Sequence, residues 1–232
     1  MLLTEGLGRL CDSGAERGVT VEWNADLAAF REAKAASGLG EVTAVFEPER
    51  RIGPGFWLAL RDRQEGDLVG IQAIRAVVDQ RDSLLEHILA ESHLYPPVDK
   101  AVDPARSKVQ SNRAASLCGA IAYHGEFVLH PRMRGRGLGP MFFRFAQALA
   151  WQAYRSDVVF GFTGPKNSNP GFAHAMGYSG HEAAAVRWCD GEGDVVEVEG
   201  LVWSDASRLE ELADDPLGDL EEGGQPVLAR AV

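Results

Sequence analysis

The chain is short of the features that would assign it quickly. It has three cysteines, Cys11, Cys118 and Cys189, too few and too far apart for a disulfide framework or a zinc site. A reducing compartment with no metal centre is the expectation. No apolar stretch approaches the roughly 20 residues that a membrane span needs, and Met1 to Gly18 lacks the basic flank and apolar core of a secretory leader. These two absences predict a cytoplasmic protein with no membrane partner. Basic residues are also in deficit, 23 against 34 acidic, for a net charge of -11. Such a balance repels a phosphate backbone, argues against nonspecific nucleic-acid binding and favours cationic or amine ligands, although it also serves ordinary solubility. There is no G-x-G-x-x-G followed by a downstream acidic residue, and no Gly-Lys-Ser/Thr of a P-loop. Internal repeats are missing as well.

What is present is 45% hydrophobic residues over 232 positions, ample for one α/β domain. Gly18 to Trp23 alternates like a strand, with Asn24 placed to cap a helix over Ala25 to Ala36. Gly38 to Pro54 is ambiguous between an extended segment and a helix. Phe56 to Arg61 and Leu68 to Val78 flank a polar turn and read as a hairpin. Ser83 and Glu86 form a capping box for a helix over Leu84 to Tyr95, which Pro96-Pro97 stops. Asp99 to Arg113 is a loop by composition. Leu117 to Tyr123 and Glu126 to Leu129 read as one long strand bent at Gly125, and Leu138 to Tyr154 as an amphipathic helix. Asp157 to Thr163 is a buried strand, and Gly180 to Cys189 with Val195 to Trp203 a terminal hairpin. Ser204 to Gln225 holds eight acidic residues and one arginine, so beyond a short capped helix it reads as a solvated tail. The expected organisation is an N-terminal segment 1–17, a domain 18–203 with an insertion at 79–115, and an acidic tail 204–232.

The informative stretch runs from Glu126 to Trp151. An apolar strand end, Phe127-Val128-Leu129, passes through His130-Pro131 into Arg132-Met133-Arg134-Gly135-Arg136-Gly137-Leu138-Gly139 and then a long helix. The first amides of a helix have no intrahelical acceptor and sit at the positive end of its dipole, so such a terminus binds phosphate. Gly135, Gly137 and Gly139 leave room for phosphate against the backbone, and Arg132, Arg134 and Arg136 add charge. Pro140 suits the first helical turn.

Arg134-x-x-Gly137-x-Gly139 at the head of that helix resembles the acyl-CoA signature of the GNAT superfamily of N-acyltransferases. Asn169-Pro170-Gly171-Phe172 to Gly177-Tyr178 resembles the family's short helix closing in glycine and an aromatic residue. The resemblance covers Tyr123 to Tyr178. It implies a single GNAT-like α/β domain with a mixed, mostly antiparallel sheet, flanked by helices and splayed at the acyl-CoA strand. It also implies acetyl-CoA as cofactor, with Phe127, Val128, Leu129, Arg134, Gly135, Arg136, Gly137, Leu138, Gly139, Asn169 and Phe172 lining its site. The acyl group would pass directly from the thioester to a small-molecule or peptide amine; a homodimer is compatible. A non-catalytic acyl-CoA-binding regulator is the alternative, since Ala173 stands where the family often has a tyrosine acid. A nucleotide-phosphate-binding module is disfavoured by the failed P-loop spacing. For the base, Glu126 is the first candidate and His124, placed on the same strand face, the second; His130 is third. His174 is the nearest titratable substitute on the helix that lacks the tyrosine. The insertion is placed to reach the acceptor pocket as a lid or specificity element; a packing decoration or a dimer contact is the alternative.

Overall fold

A computed structural model of the chain describes residues 3–39, 41–50, 52–77, 83–97 and 100–218. In chain order its helices and strands are α1 (Leu3–Glu16), β1 (Val19–Asn24), α2 (Leu27–Ala36), β2 (Gly55–Asp62), β3 (Leu68–Ala76), α3 (Leu84–Ala90), β4 (Lys108–Val109) and β5 (Ile121–Leu129). There follow α4 (Leu138–Tyr154), β6 (Val158–Thr163), α5 (Pro170–Ala175), β7 (Gly180–Cys189), β8 (Val195–Asp205) and α6 (Ala206–Asp214). The strands form one eight-stranded sheet in the order β1-β2-β3-β5-β6-β8-β7-β4. Only the β5–β6 neighbours are parallel; all the others are antiparallel. This is the mixed, mostly antiparallel sheet expected from the sequence.

Phe56-Trp57-Leu58-Ala59-Leu60 is apolar at every position because β2 is covered on both faces. Phe56, Leu58 and Leu60 enter a core with Leu10 of α1, Phe142, Phe145 and Leu149 of α4, and Leu209 of α6. Trp57 and Ala59 face the opposite core, built on Phe30 of α2, Leu84 and Ile88 of α3, and the strand residues Tyr123, Phe160 and Trp188. Two helical layers thus sandwich the sheet.

Several elements differ from the expectation. The cap of α2 is Asp26, whose carboxylate accepts the amides of Ala28 and Ala29, while Asn24 accepts the amide of Asp26 instead. The ambiguous stretch after α2 makes a single 3-10 turn at Ala44–Phe46. The Ser83/Glu86 capping box is present, but α3 ends at Ala90 and a 3-10 turn, Ser92–Leu94, completes the segment. Residues 108–109 of the insertion add an edge strand to β7; residues 78–82, 98 and 99 lie outside the described residues. The short capped helix expected at Ala206 to Ala213 is present as α6, but it packs on the domain instead of belonging to a solvated tail: Leu209, Leu212 and Ala213 are buried while Glu210, Glu211 and Asp214 face out. Its continuation beyond residue 218 falls outside the described residues. The N-terminal segment is likewise helical, and α1 packs against α4 and β1. No described helix is long and apolar enough to cross a membrane.

Candidate functional site

The site begins where two parallel strands part. β5 pairs with β6 only from Ile121–Val158 to Tyr123–Phe160. Beyond that, β5 continues to Leu129 against β3 alone, and Gly161 to Thr163 of β6 pair with β8 alone. The divergence occurs at Gly161, where a β-carbon would sit 2.6 Å from the carbonyl oxygen of His124. Only glycine lets the two backbones approach that closely before they separate. The gap holds a cavity of about 330 Å³ lined by Phe127, Val128, Phe143, Phe162 and Phe172, with Tyr123, Glu126, Asn167 and Glu199 among its polar members. The strand edges facing it have backbone donors and acceptors that no neighbouring strand takes.

A bulge shapes the β5 wall. Ile71 pairs with Val128 and Ala73 with Gly125, so Gln72 alone opposes both Glu126 and Phe127. Glu126 carries a φ of 61°, and this irregularity, not Gly125, is where the strand bends. It also breaks the alternation that would have put His124 and Glu126 on one face. His124 turns toward α4, where its ring lies 4.9 Å from that of Phe143. Glu126 turns the other way, toward α2 and the segment after it, and its carboxylate accepts the ammonium of Lys34 together with the amide (2.7 Å) and hydroxyl (2.6 Å) of Thr43. The side chains of Lys34 and Glu126 are 5% and 7% exposed. Lys34 also donates to the carbonyl of Glu41 at 2.7 Å.

The segment held by that pair is held a second time. Arg75 of β3 is buried and donates to the carbonyls of Val45 (2.6 Å), Glu47 (2.8 Å), Gly53 (3.1 Å) and Arg50. Burial lowers its guanidinium from the usual arginine range. Four main-chain oxygens replace the carboxylate such a buried cation would otherwise need.

His124 sits in a closed polar chain. Its Nε2 donates to Oε1 of Gln72 at 2.9 Å, whose Nε2 donates to the carbonyl of Phe142 at 2.7 Å. This leaves Nδ1 as the acceptor for the hydroxyl of Tyr178 at 3.0 Å. Burial pulls the imidazole down to about 3, so the ring is neutral, with both nitrogens committed. Burial also raises the Tyr178 phenol far above its ordinary value.

The glycine loop lies beyond the other end of β5. Nδ1 of His130 accepts the amide of Arg132 and caps a 3-10 turn, Pro131–Met133, which buried Met133 anchors. Arg132 turns away from the loop to Asp62 (3.6 Å), Glu65 (2.5 Å) and Asp67 (3.3 Å) in the β2–β3 turn. Gly135 and Gly137 have φ of 77° and 71°. The amides of Gly135, Arg136, Gly137, Leu138 and Gly139 donate to no acceptor among the described residues. Consecutive amides passing through left-handed glycines turn outward together at the head of α4, a geometry that suits an anion. Arg134 and Arg136 are exposed beside it, and Arg17 reaches to 3.8 Å of the position a Gly137 β-carbon would take. Arg136 further shares a polar cleft with Gly18, Asp62, Arg63 and Gln64.

The sequence candidates therefore divide. Glu126, Phe127, Val128, His124 and Phe172 line the cavity. Leu129 packs into the core beneath α4, and Arg134 to Gly139 form the loop. Asn169 caps α5 by accepting the amide of Phe172 at 2.9 Å. His130 and His174 are exposed outside the cavity, and the carbonyl of His174 accepts from Arg144. No described residue of the insertion lines the cavity; Tyr95 of that segment instead packs edge-on against Tyr123, 5.0 Å between centroids. Sequence reasoning missed Thr43, Tyr123, Asn167 and Glu199. The indole of Trp188 donates to Glu199 at 2.6 Å. Among the described residues no group of three or more His, Cys, Asp or Glu is arranged to hold a metal.

No family model and no curated protein matches the sequence. Solved structures with a similar course of chain include a spermidine N-acetyltransferase from Vibrio cholerae in complex with CoA and spermine. It is 10% identical with a TM-score of 0.42, over 82% of this chain and 98% of that one. A dodecameric structure of spermidine N-acetyltransferase from Vibrio cholerae is 10% identical with a TM-score of 0.44, over 82% and 95%. NAA60 of Arabidopsis thaliana in complex with a bisubstrate analogue is 12% identical with a TM-score of 0.46, over 80% and 98%.

Proposed function

We propose that this chain is an N-acyltransferase of the GNAT superfamily, taking an acyl group, acetyl first, from coenzyme A to an amine. The observation that carries the reading is the junction of two sites on one strand. The amides of residues 135–139 turn outward at the head of α4, and the same β5 backbone leads from there along Phe127 and Val128 into the gap beside β6. A bisphosphate joined to a long amide-containing arm fits both. Its phosphates take the loop amides and the arm takes the unpaired strand edge, as an added strand would. When bound, acetyl-CoA supplies an activated thioester; the chain's part is to bind it extended and place it against the acceptor.

Glu126 was the leading candidate for general base. In the fold three donors occupy its oxygens before any acceptor arrives, so we assign it to holding the cavity wall at Thr43. An amine arriving neutral and correctly placed needs no base of its own to attack a thioester, and positioning then supplies most of the rate. Unpaired strand amides beside Phe127 are available to a developing oxyanion. Calorimetry with acetyl-CoA, with ATP as competitor, tests the reading. Micromolar acetyl-CoA binding that ATP does not displace supports it; no acetyl-CoA binding overturns it. A panel of amines with detection of released thiol then identifies the acceptor class, and binding without turnover on any of them assigns the chain to the regulator class instead.

A further inference from the structure

The gap between β5 and β6 is closed at its inner end on three sides. In the plane of the sheet it stops at Gly161, hard against the carbonyl of His124, and beyond that point Tyr123 pairs with Phe160. On the α4 face, His124 and Tyr178 line it and are hydrogen-bonded to each other. On the α2 face it is closed by two rings, Tyr123 from β5 and Phe162 from β6, whose centroids lie 6.0 Å apart across the parting strands. The Tyr123 ring leans along its own strand over Gly125, where a β-carbon would fall 2.6 Å from its Cε1. The wall therefore depends on residue 125 having no side chain. Behind it stands Tyr95 of the insertion, 5.0 Å from Tyr123 and 5.6 Å from Phe162 between centroids, with its hydroxyl bonded to His87. Trp188 backs Phe162 edge-on at 6.2 Å.

The geometry points to this aromatic wall as the element that fixes acyl length, with Phe162 as the specificity-determining residue: it admits acetyl and excludes chains of butyryl length and longer. This inference rests on the acyl-transfer reading above. An arm that enters from the loop at residues 135–139 and runs beside β5 carries its acyl group at the leading end. The acyl group therefore meets the closed end of the gap first. The cavity of about 330 Å³ must also take the end of the arm and the incoming amine, and a packed wall does not yield to extra carbon without strain. Of the groups at the closed end, His124 is bonded to both Tyr178 and Gln72, and Tyr123 is wedged among Tyr95, Phe46 and Phe160. Phe162 is only partly buried and has no polar atom in its side chain, so it can be trimmed without breaking a hydrogen bond. The space released lies against the rings of Tyr95 and Trp188, an apolar lining that suits a longer alkyl chain.

The test needs no acceptor. Affinities for acetyl-, butyryl- and hexanoyl-CoA are measured by calorimetry on the wild type, on Phe162→Ala and on Phe172→Ala, which opens the cavity on its α5 side instead. Wild type should bind butyryl-CoA about tenfold more weakly than acetyl-CoA, as for an overpacked site, and hexanoyl-CoA more weakly again. In Phe162→Ala the order should invert, with affinity rising by up to about fourfold for each methylene buried. Phe172→Ala should keep the wild-type order. Wild type that binds the three ligands equally well overturns the assignment, as does an unchanged order in Phe162→Ala or an inversion in Phe172→Ala. If Phe162→Ala does not fold, Phe162→Leu makes a smaller opening; butyryl-CoA must then gain on acetyl-CoA, and no gain sinks the proposal. Wild type that binds none of the three overturns the acyl-CoA reading beneath it.

Discussion

The hydroxyl of Tyr178 lies 3.0 Å from Nδ1 of His124, and it donates there because Nε2 of the same ring already donates to Gln72. A histidine with both nitrogens committed inside the protein cannot take a second proton without breaking one of these bonds.

The first prediction follows from that pair. The imidazole is held at about 3 in the fold against about 6.5 in the unfolded chain. A depressed folded value means that the unfolded state binds the extra proton first. The contribution is fully present above about pH 6.5 and is lost as the pH falls toward 3, with a slope approaching ~1.4 kcal/mol per pH unit. Urea unfolding at pH 7, 6 and 5 should show stability falling with acid. In His124→Gln, less stable at pH 7, the fall should be shallower; parallel slopes for the two proteins would refute the assignment.

A second concerns Glu126 and Lys34. Removing one member of a buried ion pair strands the other, at a cost of about 3 kcal/mol or more. Glu126→Gln should therefore lower the melting temperature by several degrees, and Lys34→Met should do the same. The double variant should lose much less than the two single losses added together. With the wall at Thr43 loosened, acceptor KM should rise more than kcat falls. A large loss of kcat at unchanged KM would return Glu126 to the chemistry.

The loop gives a third. Gly137 has a φ of 71°, a region costing an L-residue about 1–2 kcal/mol, and more for a β-branched one. Gly137→Val should turn the loop amides out of their common direction and weaken acetyl-CoA binding by well over tenfold, about 1.4 kcal/mol or more. Calorimetry on the folded variant decides it. Unchanged affinity would remove the phosphate site from this loop.

Arg75 gives a fourth. Lysine has the charge but not the planar fork, and cannot reach four carbonyls spread over residues 45–53. Arg75→Lys should cost roughly 3 kcal/mol, since each buried carbonyl left without a donor costs about 1–3. Hydrogen exchange should rise in residues 41–53 before it rises in β2 or β3. Uniform exchange across the domain would contradict a local role.

Much of this was legible from residues alone, and the failures share a cause. The helix Leu138–Tyr154 was read to the residue, because its apolar face, Pro140 and the glycines before it are local signals. The bulge at Glu126 was not, because nothing in the sequence says that one residue will sit opposite two. That single irregularity reversed which side chains share a face. It separated Glu126 from His124 and put Glu126 on the side of Tyr123. Thr43, Asn167 and Glu199 come from three separate segments and meet only through the sheet order. The α2 cap shows the local counterpart: Asn24 and Asp26 are both good caps, and β1, running on through Asn24, leaves the cap to Asp26.

Arg75 recognises only main-chain oxygen, so it is indifferent to the side chains between Val45 and Gly53. That stretch continues from Thr43, on the cavity wall, and its course is fixed from beneath by a residue of another strand. At its exposed positions, Glu49 and Arg50, the sequence can therefore be rewritten without giving up that path, so long as each carbonyl stays where the guanidinium finds it. The letter that must not change lies elsewhere in the chain.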